Sequence, residues 1–596
     1  MNTLRLIELR ATQPSAQAIA VAGPVSSFRD DATLNGRPDH HQSRSRPRSG
    51  RDFTLQHESP NMASLQICCI TGLYVLLQCV NSSGADERNP NGNLIEIQVV
   101  DDITGRGIPL VELTTVDDVT YLTDSAGRIA LNEPELFGKT VYFRVHSPGY
   151  QFAKDGFGFE GVRLRLAAGQ KHELRMTRSQ PAERLYRITG RDVYLDTVRL
   201  GHSAPVEHPL LNANVLGQDS IQPALFNGKI YWFWGDTNQL KYPLGLYRMA
   251  GAVSDLPTNG GLDPSVGINL KYFTNDDGFA RAMATVPDPE GVVWIHGLAV
   301  VPDDSGTEQL VGCFSRRRGL AEPLEQGLVQ WNHTTEQFEV ATTLDLRDTW
   351  RMLRDHPIRQ TIDGRKYYTF GNPFPVTRVP SQLDRVLQTT SYESFSCREE
   401  LPDEYPTDQQ LQAAKPLRDA NGKLDWTWKV GPPVTQQDEQ RWLKRGLIKL
   451  EEARYLPVDA SNPDRIVLMH SGTVQWNAWR QKWVMIAIEI ATDRNSPSHL
   501  GEVFYSEAES AQGPFRTALK IATHPKQSFY NPCHHPFFDQ DNGRTIYFEG
   551  TYCNTFTNSP PTPRYNYNQL MYRLDLDSDA ITKAFGSRTP PKTDSN

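Results

Sequence analysis

Five segments of the chain repeat one local pattern, and that repetition limits the possible folds more than any other feature. QDSIQPALFNGKIYWFWGDT begins at Gln218, IHGLAVVPDDSGTEQLVGCFS at Ile295, DHPIRQTIDGRKYYTFGNP at Asp355, HSGTVQWNAWRQKWVMIAIE at His470 and HHPFFDQDNGRTIYFEGTY at His534. Each opens on polar residues, runs as a short apolar strand, turns at Asn-Gly, Asp-Gly, Ser-Gly or an equivalent pair, and returns as an aromatic strand. Such a hairpin cannot bury its apolar faces alone. Set around an axis, each covers its neighbour and becomes the inner half of a propeller blade. Five units predict five blades over residues 185–580. The spacing nearly doubles between the third and fourth units, and the excess, about 385–455, reads as an insertion. Within it Thr435 is a candidate N-cap with Asp438 at the third helical position. Trp442, Leu443, Leu447 and Leu450 supply an apolar stripe, which predicts a helical stretch from about Thr435 to Ala453.

Upstream, residues 94–178 alternate apolar and polar side chains between closely spaced turns: LIEIQVVDD, TGRGIP, LVELTTVDD, TDSAGR. Period-two strands between Gly, Asp and Pro turns predict a small antiparallel sandwich. The expected fold is therefore all-β, with a small antiparallel β-sandwich followed by a five-bladed β-propeller that carries a partly helical insertion. Residues 581–596 are expected to be a disordered tail.

The only long apolar run, Ile67 to Val80, is too short to span a bilayer of ~30 Å but suits the core of a signal peptide over 62–85, cut after Gly84 or Ala85. A buried strand or an uncleaved anchor would give the same run. Leu76 to Cys79 resembles a lipoprotein box only faintly, Gln78 being a poor fit. Residues 1–61 read as a disordered extension or a mis-assigned start. Secretion, to a periplasmic or extracellular compartment, is the expectation, with no stable membrane span after cleavage. A formal net charge of −8 leaves no basic surplus for a phosphate backbone, so no nucleic-acid partner is expected. Three of the seven cysteines lie in the leader; Cys313, Cys397, Cys533 and Cys553 remain, with no CxxC or Cys/His zinc spacing. Cys533 and Cys553 flank Asn542-Gly543 almost symmetrically, which predicts a disulfide across paired strands.

The segments Thr104 to Pro109, Thr123 to Arg128 and Ser147 to Tyr150 resemble turns of the carboxypeptidase regulatory, or transthyretin-like, domain. That resemblance implies a fold and no catalysis. From about Arg191 to Asp577 the chain resembles the five-bladed arabinanase- and β-xylosidase-type glycosidase propellers, including the GPF turn in SEAESAQGPFRTALKI from Ser506. The resemblance implies that Asp219 is the general base and that Asp355 orients the acid and tunes its pKa. One departure stands out. Where the xylosidase type places a Glu before Gly-Pro, this chain reads His470-Ser471-Gly472-Thr473. Glu502 is the best substitute and Glu549 a weaker one; an outward-facing strand position is the plainer reading of Glu502.

The residues themselves point to the same chemistry, because glycoside hydrolysis needs two carboxyl groups, one to protonate the leaving oxygen and one to activate water or attack the sugar. Asp236, closing the first hairpin, is an alternative partner for Asp219, or a turn-stabilising Asp. His296, His356, His470 and the pair His534-His535 fall near the blade starts. They are candidates to contact a sugar, to serve as a base in β-elimination with Tyr530 or Tyr552, or to hydrogen-bond backbone at strand ends. His296, His356 and His535 are also candidate ligands for a divalent cation in the channel, the one cofactor considered. Trp234 and Trp476 are candidate stacking platforms for sugar rings, and equally candidates for core packing between blades. The leading expectation is a secreted glycoside hydrolase acting on a polysaccharide or oligosaccharide. A non-catalytic carbohydrate-binding propeller and a polysaccharide lyase are the alternatives.

Overall fold

In the computed structural model, which describes residues 93–491 and 500–588, the alternating segments before residue 180 form two four-stranded sheets. Arg128–Leu131, Ile95–Asp101, Lys171–Arg178 and Tyr150–Gln151 make one; Thr120–Leu122, Glu112–Thr115, Thr140–His146 and Gly161–Arg165 make the other. Their inward residues, among them Ile95, Ile97, Val99, Leu113, Phe143 and Met176, share one core. The sandwich is not wholly antiparallel: Ile95–Asp101 runs parallel to Lys171–Arg178.

Six further sheets follow, a small three-stranded one and five blades that take up the repeated hairpins. Their inner strands are Gln222–Phe226, Val292–Pro302, Ile358–Ile362, Met469–Asn477 and Ser528–His534. Five apolar clusters lie between consecutive sheets, the last joining the fifth to the first through Trp232, Trp234, Tyr186 and Tyr547. A ring of hydrogen bonds links the inner strands. Asn531 Nδ2 donates to Ser220 Oγ at 2.7 Å, and the Gly297 amide donates to Gln222 Oε1 and to the Asp355 carbonyl at 3.3 and 3.1 Å. The Gly472 amide donates to Asn372 Oδ1 and the His534 amide to Thr473 Oγ1 at 3.1 and 3.0 Å, completing the five-bladed circle. Closure also uses the chain's own order: Glu183–Arg187, which precedes the first blade, pairs antiparallel with Asn568–Asp575 as the outermost strand of the fifth.

Three details differ from the sequence reading. Glu393–Ser396 and Thr427–Lys429, inside the expected insertion, are outer strands of the third blade, so the inserted helical part is confined to their flanks. There the helix Gln436–Lys444 starts at Thr435, whose side chain and that of Asp438 form a capping box, and Trp442 is buried with Leu443, Leu447 and Leu450 packed alongside. In the fifth blade the inner strand ends at His534 and does not begin there, because Pro536–Phe538 takes up a helical turn before the chain reverses at Asp541–Gly543. This register sets Cys533 opposite Glu549 and Cys553 opposite Ser528, and both thiols are free, which overturns the expected disulfide. Residues from 581 are not all tail: Asp579–Phe585 is a helix that buries Ile581, with Phe585 one turn on against the same cluster. The signal-peptide reading and the leader cysteines lie outside the described residues. Among the described residues no helix is long and apolar enough to cross a membrane.

Candidate active site

The inner strands of the propeller all run in one direction, so the residues that open them gather at one end of the channel. Asp219 and Asp236 meet there by register. Gln218 pairs with Thr237 in a small sheet, Gln222 pairs with Phe233 in the first blade, and the two aspartates stand opposite each other where the hairpin crosses between them. Tyr530 donates its hydroxyl to Asp219 Oδ2 at 2.9 Å, and Trp294 Nε1 donates to Asp236 Oδ1 at 3.1 Å. Burial and then the neighbouring Asp236 push the Asp219 carboxyl well up, and burial pushes Asp236 to about 6. Asp219 does not open onto the channel. It is fully buried, with the Tyr530 and Tyr567 side chains against it.

His296 stands two residues beyond Trp294 on the same strand and therefore on the same side. The Cys313 thiol lies 3.2 Å from His296 Nδ1. Asp355 and His356 stand just before the third inner strand and are half-buried. Burial raises Asp355 to about 6, with Arg354 opposing the rise. Burial lowers His296 and His356 to about 3 each; Arg354 and His356 add to the first, and His535 to the second. His470 is half-buried and lowered to about 4 by burial. These imidazoles are neutral at physiological pH.

The remaining candidates lie elsewhere. Glu502 accepts the Thr523 hydroxyl at 2.7 Å and pairs with Lys520 at 3.3 Å, on the outer half of the fourth blade. Nothing in that position serves the channel. His535 is fully buried against Trp232 and Phe537, its Nε2 3.2 Å from Glu549 Oε1, so it is enclosed between the fifth and first blades and cannot touch a substrate. Trp234 is fully buried beside Trp232 and Tyr272, a core residue and not a platform. Trp476 is exposed, at 44%, but at the opposite end of its strand from His470, about 20 Å away. Among the described residues no group of three or more His, Cys, Asp or Glu can hold a metal ion. Sequence reasoning missed Trp294, Tyr567 and Arg354. The places of Trp294 and Tyr567 beside the carboxyl groups come from contacts between blades, which no local pattern announces, whereas Arg354 directly precedes Asp355 in the chain.

No family model matches the chain, and no curated protein matches it. Solved structures do. An exo-1,5-α-L-arabinanase from a bovine ruminal metagenomic library is 11% identical, with 61% of this chain and 94% of that one covered at a TM-score of 0.30. A putative exo-β-1,3-galactanase from Bifidobacterium bifidum s17 is 12% identical, with 67% and 95% covered at 0.31. A family 117 glycoside hydrolase produced by the marine bacterium Zobellia galactanivorans is 11% identical, with 66% and 90% covered at 0.30. At this distance the sheets and their register carry the fold.

Proposed function

We propose that the protein is a secreted, carbohydrate-active propeller that hydrolyses glycosidic bonds of a polysaccharide or oligosaccharide at the channel rim. The observation that carries this reading is Asp355, a half-buried carboxyl group ahead of the third inner strand, which burial raises to about 6. A group of that pKa donates a proton to a leaving oxygen near neutrality. The Asp219–Asp236 pair is the second carboxyl component, and Asp219 serves as base when water passes Tyr530. The enclosure of Asp219 favours the second reading, a propeller that binds glycans without cleaving them. The sandwich, in either case, is read as a transthyretin-like stability module.

The test uses protein recovered from the culture medium, its N-terminus read to check cleavage after Gly84 or Ala85. It is incubated with a panel of polysaccharides, following reducing ends and the absorbance of unsaturated products. Hydrolysis releases reducing ends without that absorbance; a rise in absorbance identifies a lyase, and binding without either identifies the non-catalytic propeller. Asp355→Asn is expected to slow hydrolysis at least ~10²-fold with the melting temperature nearly unchanged. In the wild type the rate should fall as pH rises through about 6 and Asp355 loses its proton. An Asp355→Asn enzyme of unchanged rate refutes the assignment.

A further inference from the structure

A cleft of about 580 Å³ opens on the outer flank of the first blade, within the ~300–1,000 Å³ that small-ligand sites occupy. The blade runs outward from Gln222–Phe226 through Lys229–Trp234 and Ala250–Asp255 to Lys271–Tyr272. Three strand spacings, about 14 Å, therefore separate the cleft from the channel wall. Its base is that outermost strand with the residues leading into it. On one side Val253 pairs with Lys271. On the other, the segment that precedes the blade is tied down. Asn212 Nδ2 donates to the Leu270 carbonyl at 2.8 Å, the Glu207 amide to Asn269 Oδ1 at 3.0 Å, and Asn269 Nδ2 to Glu207 Oε1 at 3.2 Å. The loop after Ala250–Asp255 closes the third side, folded back so tightly that a Cβ on Gly261 would sit 2.2 Å from the Asp255 carbonyl oxygen. The walls are thus fixed to the base and the cleft is preformed.

The lining carries both signs in equal number, Glu207 and Asp255 against Lys229 and Lys271. Lys229 Nζ pairs with Asp255 Oδ1 at 2.5 Å, and Asn269 holds one oxygen of Glu207. Each carboxylate and the Asn212 amide keep an oxygen for a further donor. Lys271 is exposed, and among the described residues no hydrogen bond or ion pair engages its side chain. A charged ligand would meet a like charge here whichever its sign. A neutral polyol, whose every hydroxyl both gives and accepts a hydrogen bond, uses the whole set. Half-buried Val253 and Ile268 add apolar surface for the C–H face of a ring. We propose that this cleft is a second carbohydrate site, which takes a neutral stretch of glycan by its hydroxyls and holds a long chain on the blade's flank. This rests on the carbohydrate-active reading above and names the class of sugar bound.

Calorimetric titration tests the cleft on the full chain carrying Asp355→Asn, so that ligand is not consumed, while cleavage is read separately on the wild type. The ligands are xylohexaose, cellohexaose and arabinohexaose, with hexagalacturonate as the charged comparison. At least one neutral ligand is expected to bind, more tightly than hexagalacturonate and with little response to salt. Adding Lys271→Ala should weaken that binding about 10-fold, the loss of one hydrogen bond to a charged donor. Adding Thr274→Trp, which fills the cleft from an exposed position on its edge, should abolish it, and both changes should leave the melting temperature unchanged. Unchanged affinity in both variants places the bound sugar elsewhere and overturns the cleft, leaving the hydrolase standing. Tighter binding of hexagalacturonate than of every neutral ligand, lost in Lys271→Ala, overturns the neutral class. Neutral binding lost in both variants, with nothing cleaved by the wild type, keeps the cleft and overturns the hydrolase. No binding of any of the four overturns the cleft, and the hydrolase with it if none is cleaved.

Discussion

Asp236 is a carboxyl group without a matching cation, held by one indole N–H and faced by a second buried carboxyl. Such a pair keeps at least one proton, since two adjacent carboxylates cannot both ionise cheaply out of water. The consequence for stability follows from the sign of the shift. Burial raises the folded pKa of Asp236 to about 6, against ~3.9 for an unfolded chain, so its contribution is fully present below ~3.9 and is lost as pH rises through about 6. Asp236→Asn keeps an acceptor for Trp294 and removes the titration. Denaturant melts of the variant should therefore lose less stability between pH 4 and 6 than the wild type does. A variant that tracks the wild type across that window would place the titrating proton elsewhere. The facing of Asp219 and Asp236 was legible in the sequence, because a hairpin with an Asn-Gly turn fixes its own register. The burial of Asp219 was not, since the tyrosines against it, Tyr530 and Tyr567, lie more than 300 residues away along the chain.

Elements with local rules were read well, and elements set by distant pairing were not. The capping box at Thr435 and Asp438 was visible as a polar pair ahead of an apolar stripe, and it forms. Thr435→Ala should cost about 1 kcal/mol, measured by chemical denaturation. Asp438 carries more than its cap, since it also binds the buried Arg398 and Arg441. Asp438→Ala should therefore cost several times as much, because it strands a buried guanidinium; equal losses from the two substitutions would reduce Asp438 to a cap. The fifth hairpin shows the opposite case. Its Asn-Gly motif lies in a left-handed turn that closes Gln540 against Thr545, and the helical turn Pro536–Phe538 adds residues on one side only, so symmetry about the motif gives the wrong register and a disulfide that does not exist. The third blade's outer strands were taken for insertion because Glu393–Ser396 and Thr427–Lys429 are three or four residues long, too short to show a period.

At the scale of the molecule, the sandwich is bonded into the seam that closes the propeller. Glu183–Arg187 is the fifth blade's last strand and follows directly on the sandwich, and its Arg184 is fully buried. That guanidinium donates Nε to the Pro109 carbonyl at 3.1 Å, one terminal nitrogen to the Pro148 carbonyl at 3.0 Å and the other to Ser147 Oγ at 2.5 Å, all acceptors in the sandwich. From the propeller, Tyr565 gives its hydroxyl to the Thr123 carbonyl at 2.6 Å and accepts the Leu110 amide at 3.0 Å. Leu110 itself packs in the apolar cluster between the fourth and fifth blades. Two bodies joined by buried, charge-assisted bonds and a shared core melt together, so calorimetry of the wild type should show one transition. Arg184→Met removes three donors at once while keeping much of the volume, each charge-assisted bond being worth about 1.5–3 kcal/mol. The variant should melt several degrees lower and in two resolved steps, with the sandwich released first from the propeller's closing strand. If the variant still melts in a single step at the wild-type temperature, the seam owes its strength to the Leu110 cluster and not to Arg184.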